Sequence, residues 1–231
     1  MLGHRGASAA APENTVEAFT RARDLGADGA ELDVRRTADG VLVVHHDAEI
    51  AGVGAVFEMT FAELRAARPA LATFDEALAA LAGLVVNAEV KCLPWEPDAD
   101  RDGSVMRATL DVLRAYTATP ANGMVVVSSF YLGAVDLARA YAPEIATGWL
   151  THASAVATSA PLAAERGHPW LNPDVVSALE AGPDGVAAAH AAGLKVSVWT
   201  VDDPDDARAR VAAGADIIIT NVPDVIRAAI S

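Results

Sequence analysis

Short runs rich in Val, Ile and Leu alternate along the chain with longer Ala-rich segments. A run that is apolar throughout suits a strand buried on both faces, and its alternation with helices is how βα units wrap a parallel sheet. About eight such units can be counted, the number that closes a barrel. Strands are predicted at Met1–Gly3, Gly29–Arg35, Leu84–Lys91, Gly123–Ser128, Ile145–Leu150, Pro169–Leu171, Leu194–Thr200 and Asp216–Thr220. The first helix is expected to open at Asn14 as N-cap, with Glu17 as its capping-box partner, and to close before Gly26. Further helices are expected at Phe74–Leu81, Val105–Ala118, Leu132–Ala140, Pro183–Ala192, Pro204–Ala213 and Asp224–Ile230.

One segment, Thr37–Thr73, breaks the alternation. It holds a short strand at Val41–His45, a Gly-containing stretch at Ala51–Gly54 and a helix-like run at Phe61–Ala67, and it reads as an insertion in the second βα loop. No Ser-, Pro- or Gly-rich linker divides the 231 residues, so one domain over the whole chain is the expectation. An open doubly wound sheet would give the same periodicity. The choice falls on a closed (β/α)8 TIM barrel because ionisable residues stand at the ends of strands from the first half of the chain to the last, as they do when all strand ends face one site.

Composition narrows the chemistry. A formal net charge of −14 repels a phosphate backbone over the whole surface, which excludes nucleic acid as a partner. Any small anionic substrate meets the same repulsion, so it needs a local positive centre made by a metal or by converging Lys and Arg. Cys92 is the sole cysteine, expected to pack as a small hydrophobe, and an intramolecular disulfide is impossible. With no apolar run approaching membrane-spanning length, a reducing cytoplasm is the expected compartment. The oligomeric state has no signature in the sequence.

Three groups of residues carry candidate chemistry. Glu31 and Asp33 lie two apart on a predicted strand and so project to one face, and Glu89 with Lys91 repeats the spacing on the next long strand. Three converging carboxylates repel one another unless a divalent cation with oxygen ligands, Mg2+ or Ca2+, sits among them; solvated strand ends, or ion pairs to Arg35 and Lys91, are the alternative. His4-Arg5-Gly6 follows the first strand and offers a proton-transfer group, a two-pronged anion grip and a close backbone approach. In His45-His46-Asp47 only one imidazole can face a shared site, since neighbouring side chains of a strand alternate, and spacing does not choose between them.

Taken in order, these pieces resemble the glycerophosphodiester phosphodiesterases. The resemblance rests on His4-Arg5-Gly6, Pro12-Glu13-Asn14-Thr15, Glu31-Leu32-Asp33-Val34, Thr37 to Gly40, Val44 to Asp47 and Glu89-Val90-Lys91. It continues through Ser129-Phe130, Val198-Trp199-Thr200-Val201, Gly214-Ala215-Asp216, Thr220 and Pro223. It implies a TIM barrel that uses one divalent cation to hydrolyse a small glycerophosphodiester to glycerol 3-phosphate and an alcohol, through a cyclic phosphate. By the same resemblance Glu31, Asp33 and Glu89 would hold the metal, and His4 and His46 would form the acid–base pair. Arg5 and Lys91 would hold the phosphate, and Trp199 would line the pocket at the glycerol end. Glu13, Asn14, Ser128, Ser129 and Phe130 are expected nearby, Asn14 chiefly as a helix cap. A lyase of the phospholipase D type acting on lysolipids or sphingolipids, and a barrel that binds metal and phosphate without turnover, are the rival readings; no apolar lip is visible in the sequence to favour the first. Two positions depart from the family's pattern: Asp202 stands where asparagine often follows Thr-Val, and Asn221 where aspartate often follows threonine.

Overall fold

In a computed structural model that describes residues 1–91 and 93–231, eight parallel strands close into a barrel. The expectation for Cys92 lies outside the described residues. In chain order the strands are β1 (Leu2–Gly3), β2 (Gly29–Arg36), β3 (Val85–Val90), β4 (Val125–Ser129), β5 (Ala146–Thr151), β6 (Trp170–Pro173), β7 (Lys195–Val198) and β8 (Ile217–Thr220). Closure rests on β1, which pairs with β8 through Leu2 and Ile219 and with β2 through Gly3 and Ala30. A closed parallel sheet covered by helices accounts for the continuous apolar runs, because every strand is buried on both faces.

Outward-pointing strand residues build the core against the helices. Leu32, Val34, Val86, Ala88 and Val127 pack with Phe19, Phe74, Met106, Leu110 and Leu113 on one side of the molecule. A second cluster gathers Leu171, Val196, Val198 and Ile218 with Val156, Ala160, Val186 and Ile226 on the other. Inside the barrel the filling is partly polar: the Ser128 hydroxyl donates to Asn87 Oδ1 at 2.9 Å, and Asn172 and Ser197 line a small void together with Leu2, Val126 and Trp170.

The insertion forms three short strands, a 3-10 turn and the helix Phe61–Ala67. Its strand Leu42–Val44 runs antiparallel to the far end of β2, pairing Val44 with Val34, so it extends the sheet at the mouth of the barrel. Thr60 and Thr73 each close a capping box with a glutamate three residues on, which starts the helices Phe61–Ala67 and Phe74–Ala80.

Three expectations need correction. The first helix, Val16–Asp24, is capped by Thr15, whose hydroxyl accepts from the Ala18 amide; Asn14 sits outside it in left-handed backbone at φ 57°. The helix Val156–Glu165 escaped the sequence reading, for it contains Pro161 and begins without a side-chain cap. The helix expected from Pro183 does start a new stretch, since Gly182 leaves helical geometry there, but a further helical stretch from Val175 precedes it, capped by Asp174.

Candidate active site

The C-terminal ends of the strands converge on a pocket of about 560 Å3 whose wall includes His4, Arg5, Glu31, His46, Glu89 and Lys91. Alternation along β2 turns Glu31 and Asp33 into the barrel while Leu32 and Val34 face the helices, and the parallel register sets Asp33 beside Glu89 of β3. All three carboxylates are buried, and each offers an oxygen within 4.8 Å of the others.

Such a cluster is costly unless countercharged. Burial, reinforced by the neighbouring carboxylates of Asp33 and Glu89, pushes the Glu31 carboxyl well above its ordinary range. Burial likewise raises Glu89, against the opposing pull of Lys91. Asp33 resists the same burial because Lys91 and Arg5 stand beside it, and its pKa is held at about 2. Lys91 Nζ lies 2.5 Å from Glu89 and 2.9 Å from Asp33, and Arg5 Nε lies 3.3 Å from Asp33. The carboxylates are thus not solvated strand ends, and of the two expected ion-pair partners Lys91 does pair with them, whereas Arg35 does not.

Glu31 is the member without a close side-chain cation. Its Oε2 accepts from the Arg5 amide at 3.0 Å, while its buried Oε1 has no hydrogen-bond partner among the described residues. A buried carboxyl oxygen with a free lone pair, next to two more carboxylates, is a donor set that suits a hard divalent cation, whose charge would favour the ionised form of Glu31. The residues present fit the metal that the sequence implied.

His4 follows β1, and its amide donates to Thr220 O of β8 at 2.7 Å, so the barrel seam fixes its backbone. Its Nδ1 lies 2.7 Å from Asn221 Oδ1, and its Nε2 lies 4.0 Å from Glu31. Burial lowers the imidazole pKa, with the Asn221 bond opposing. Arg5 is in left-handed backbone, φ 54°, and its Nη1 reaches Glu13 Oε1 at 2.9 Å. Gly6 turns the chain at φ 84°, and a Cβ there would meet the backbone of Ala18 at 2.6 Å; the tripeptide needs glycine because the first helix packs directly on the turn.

The insertion delivers His46 to the pocket and turns His45 away, into a separate hollow with Glu13, Asn14 and Arg68. His46 Nδ1 lies 2.7 Å from Asp47. Arg35 holds this histidine by its backbone, since Nε donates to His46 O at 2.8 Å while Nη1 pairs with Asp98 at 2.5 Å and Glu96 at 3.3 Å. Asn14 serves the site too: its Nδ2 donates to Asp33 Oδ2 at 2.8 Å. That contact explains its left-handed backbone better than a helix cap does. Of the other residues expected nearby, Phe130 joins the pocket, whereas Ser128 and Ser129 turn their hydroxyls to Asn87 and to Val90 O.

The opposite wall is apolar. Trp199 meets Phe130 edge-on at 5.4 Å and anchors its indole N–H on Asn172 O at 2.9 Å. Trp149 and His152 continue this wall, and Leu93 and Trp95 reach the rim, Trp95 being 75% exposed. The absence of an apolar lip, expected from sequence, is thereby corrected. These rim residues sit in loops without hydrophobic periodicity, so no pattern marked them.

At the seam of the barrel the two departures from the family pattern prove to be in contact. Asn221 Nδ2 donates to Asp202 Oδ2 at 2.6 Å, and the Asn221 amide donates to Asp202 Oδ1 at 2.8 Å.

Comparison with known proteins agrees with this geometry. The model of the "Glycerophosphoryl diester phosphodiesterase family" matches residues 4–225. A glycerophosphodiester phosphodiesterase of Caldanaerobacter subterraneus is 29% identical, covering 98% of this chain and 95% of its own. A Mycobacterium tuberculosis protein named "Probable glycerophosphodiester phosphodiesterase 1" is 35% identical over 89% of this chain and 83% of its own. Among solved structures, an Oleispira antarctica phosphodiesterase in complex with the product sn-glycerol-3-phosphate superposes with a TM-score of 0.86 at 26% identity, covering 99% of this chain and 95% of that one. With a family match across nearly its whole length, on a barrel whose strand ends gather the motif residues into one pocket, the chain belongs to the glycerophosphoryl diester phosphodiesterase family.

Proposed function

We propose that this enzyme cleaves glycerophosphodiesters to glycerol 3-phosphate and an alcohol, with His4 and His46 as its acid–base pair and one divalent cation, Mg2+ or Ca2+, on Glu31, Asp33 and Glu89. The observation that carries the reading is the buried Glu31–Asp33–Glu89 cluster, whose Glu31 and Glu89 line one pocket with two imidazoles and two cationic side chains. A cation bound there supplies charge neutralisation at the phosphoryl oxygens. Arg5 and Lys91 orient the phosphate within a protein whose net charge would otherwise repel it. One histidine takes the proton of the glycerol 2-hydroxyl as that oxygen bonds to phosphorus. The other gives a proton to the departing alkoxide as its bond to phosphorus breaks. Water then opens the cyclic phosphate with the two proton transfers reversed. The tethered hydroxyl brings the nucleophile to phosphorus without the entropic cost of capturing a free water. Trp199 lies against the glycerol end. The whole chain acts as one domain, and the lone cysteine is in keeping with the cytoplasm.

The exposed Trp95 beside Leu93 supports a second reading, action on amphiphilic diesters such as lysolipids. Turnover of glycerophosphocholine and of a lysophospholipid, each assayed for glycerophosphate products and free alcohol with Mg2+, with Ca2+ and with excess chelator, separates the readings. Metal-dependent release from the first substrate is expected, and no release from either substrate with either metal would overturn the enzymatic reading.

A further inference from the structure

Among the groups around the pocket, His4 has its free nitrogen set by a relay of two side chains from outside it, whereas His46 meets the single carboxylate of its neighbour Asp47. Asn221 Oδ1 lies 2.7 Å from His4 Nδ1 and accepts from the Ser8 hydroxyl at 2.6 Å. The other end of the same amide donates to Asp202 Oδ2 at 2.6 Å, while Asp202 Oδ1 accepts from the Asn221 amide at 2.8 Å and the Thr220 hydroxyl at 2.9 Å. A carboxylate can only accept. Asp202 therefore dictates which end of the Asn221 carboxamide is nitrogen, and the oxygen must face His4. An amide oxygen also only accepts, so the proton on a neutral His4 must be on Nδ1. Its Nε2, on the side facing Glu31, is left with a lone pair.

We propose that Asp202 and Asn221 are positioning residues that hold His4 in its Nδ1–H tautomer, with Nε2 directed into the pocket as the proton acceptor. The chain of constraint runs from a carboxylate in the loop after β7, through an amide just after β8, to the imidazole after β1. It crosses the seam of the barrel, and both links are side chains placed by the turns that follow neighbouring strands. The inference rests on His4 being a proton-transfer group, as proposed above.

The logic of donors and acceptors also names the changes that break and restore it. In Asp202→Asn one acceptor oxygen becomes a donor. The Asn221 amide is then free to turn its nitrogen toward His4, which drives the ring to the opposite tautomer. The double exchange Asp202→Asn with Asn221→Asp restores every donor to an acceptor: the carboxylate now at position 221 accepts from His4, from Ser8 and from the amide at 202. A role in mere packing predicts no such reciprocity.

The test combines kinetics with nitrogen-15 NMR of the imidazoles in the intact 231-residue chain. In the parent protein, above the imidazole pKa, His4 should carry its proton on Nδ1; a proton on Nε2 would overturn the proposal without any variant. Asp202→Asn should lower kcat by about tenfold or more with little change in KM and should move the proton to Nε2; the double exchange should recover kcat to within about threefold and return the proton to Nδ1. Unchanged kcat and tautomer in Asp202→Asn, or a double exchange no better than the single one, would count against it. His4→Ala distinguishes the two levels: if it leaves turnover intact, the acid–base reading of His4 fails, whereas the tautomer seen by NMR still reports on Asp202 and Asn221.

Discussion

The two halves of the barrel make different contributions to one pocket. The ends of β1 to β3, with the insertion, bring His4, Arg5, Glu31, His46, Glu89 and Lys91, every one ionisable, and the loop after β3 adds Leu93 and Trp95 at the rim. The ends of β5 to β7 bring Trp149, Thr151, His152 and Trp199, a mostly apolar wall against which Phe130 of the β4 loop packs. Each half has its own hydrophobic cluster beneath it. The contrast separates two tasks: charge must be concentrated where phosphorus is attacked, whereas the rest of the substrate needs only a surface of matching shape. Damage to the first half should therefore appear in kcat and damage to the second in KM.

The sharpest way to break this contrast is through the carboxylate cluster. Chelation should leave no measurable turnover. Glu31→Gln should lower kcat by roughly 10²–10³-fold, the scale of losing one element of transition-state charge stabilisation. The same change removes a negative charge that burial, Asp33 and Glu89 all disfavour, so the metal-free variant should be no less stable than the parent. What it should lose is the rise in Tm that Mg2+ or Ca2+ gives a protein binding it only when folded. Thermal melts with and without metal check this, and a Glu31→Gln protein still stabilised by metal to the parent's extent would remove Glu31 from the site.

After the complete loss expected on chelation, the imidazoles should match or exceed Glu31. His4→Ala and His46→Ala should each cost about 10²–10⁴-fold in kcat, while His45→Ala, whose ring lies in the separate hollow, should stay near the parent. On the opposite wall Trp199→Ala removes the edge-on contact with Phe130 and the bond to Asn172 O, and KM should rise by about tenfold with kcat within about threefold. Steady-state kinetics on one substrate series measures all four. If Trp199→Ala lowers kcat as far as His46→Ala does, the division between chemistry and shape is wrong.

The same division governs how much could be read from the sequence. Glu31, Asp33, Glu89 and Lys91 were legible because strand periodicity turns residues two apart to one face, and the register of β2 with β3 then brings the two pairs together. The tripeptide at His4 and the choice of His46 over His45 came from family resemblance, since alternation alone allowed either histidine. Arg35 was misjudged: the side chain follows the inward face as periodicity requires, but its partners, Asp98, Glu96 and the carbonyl of His46, lie on two loops that no period predicts. Asn14 fitted a helix-cap pattern closely enough to hide its bond to Asp33, made from a left-handed backbone that only tertiary contact explains. In the second half, a helix holding Pro161 and lacking a cap left no local signal, and Trp149 lay inside an ordinary strand run. The seam between β7 and β8 was visible only as two unexplained residues, Asp202 and Asn221, until their contact was seen.

The smallest expected effect concerns stability, and it belongs to the second half, where His168 lies buried just before β6. Its Nε2 is 3.1 Å from the Asp136 carboxylate and its Nδ1 is 3.0 Å from the Thr147 hydroxyl. Because a carboxylate only accepts, Nε2 carries the proton and Nδ1 accepts from Thr147, so the neutral ring satisfies both partners. Burial lowers its pKa from 6.5, and the opposing attraction of Asp136 does not cancel the shift. A group with a depressed native pKa binds more protons when unfolded. Its contribution to stability is thus present in full above about 6.5 and is lost as pH falls through the lowered native value. His168→Gln, which can offer a donor and an acceptor at similar reach but cannot titrate, should remove this part of the acid sensitivity. Melts of parent and variant from about pH 8 down to about pH 5 should show the parent losing Tm faster on acidification, with turnover above pH 7 equal in the two. Parallel Tm curves would mean that His168 does not charge on unfolding in this range, and a parent less sensitive to acid than the variant would mean that Asp136 raises the imidazole pKa instead.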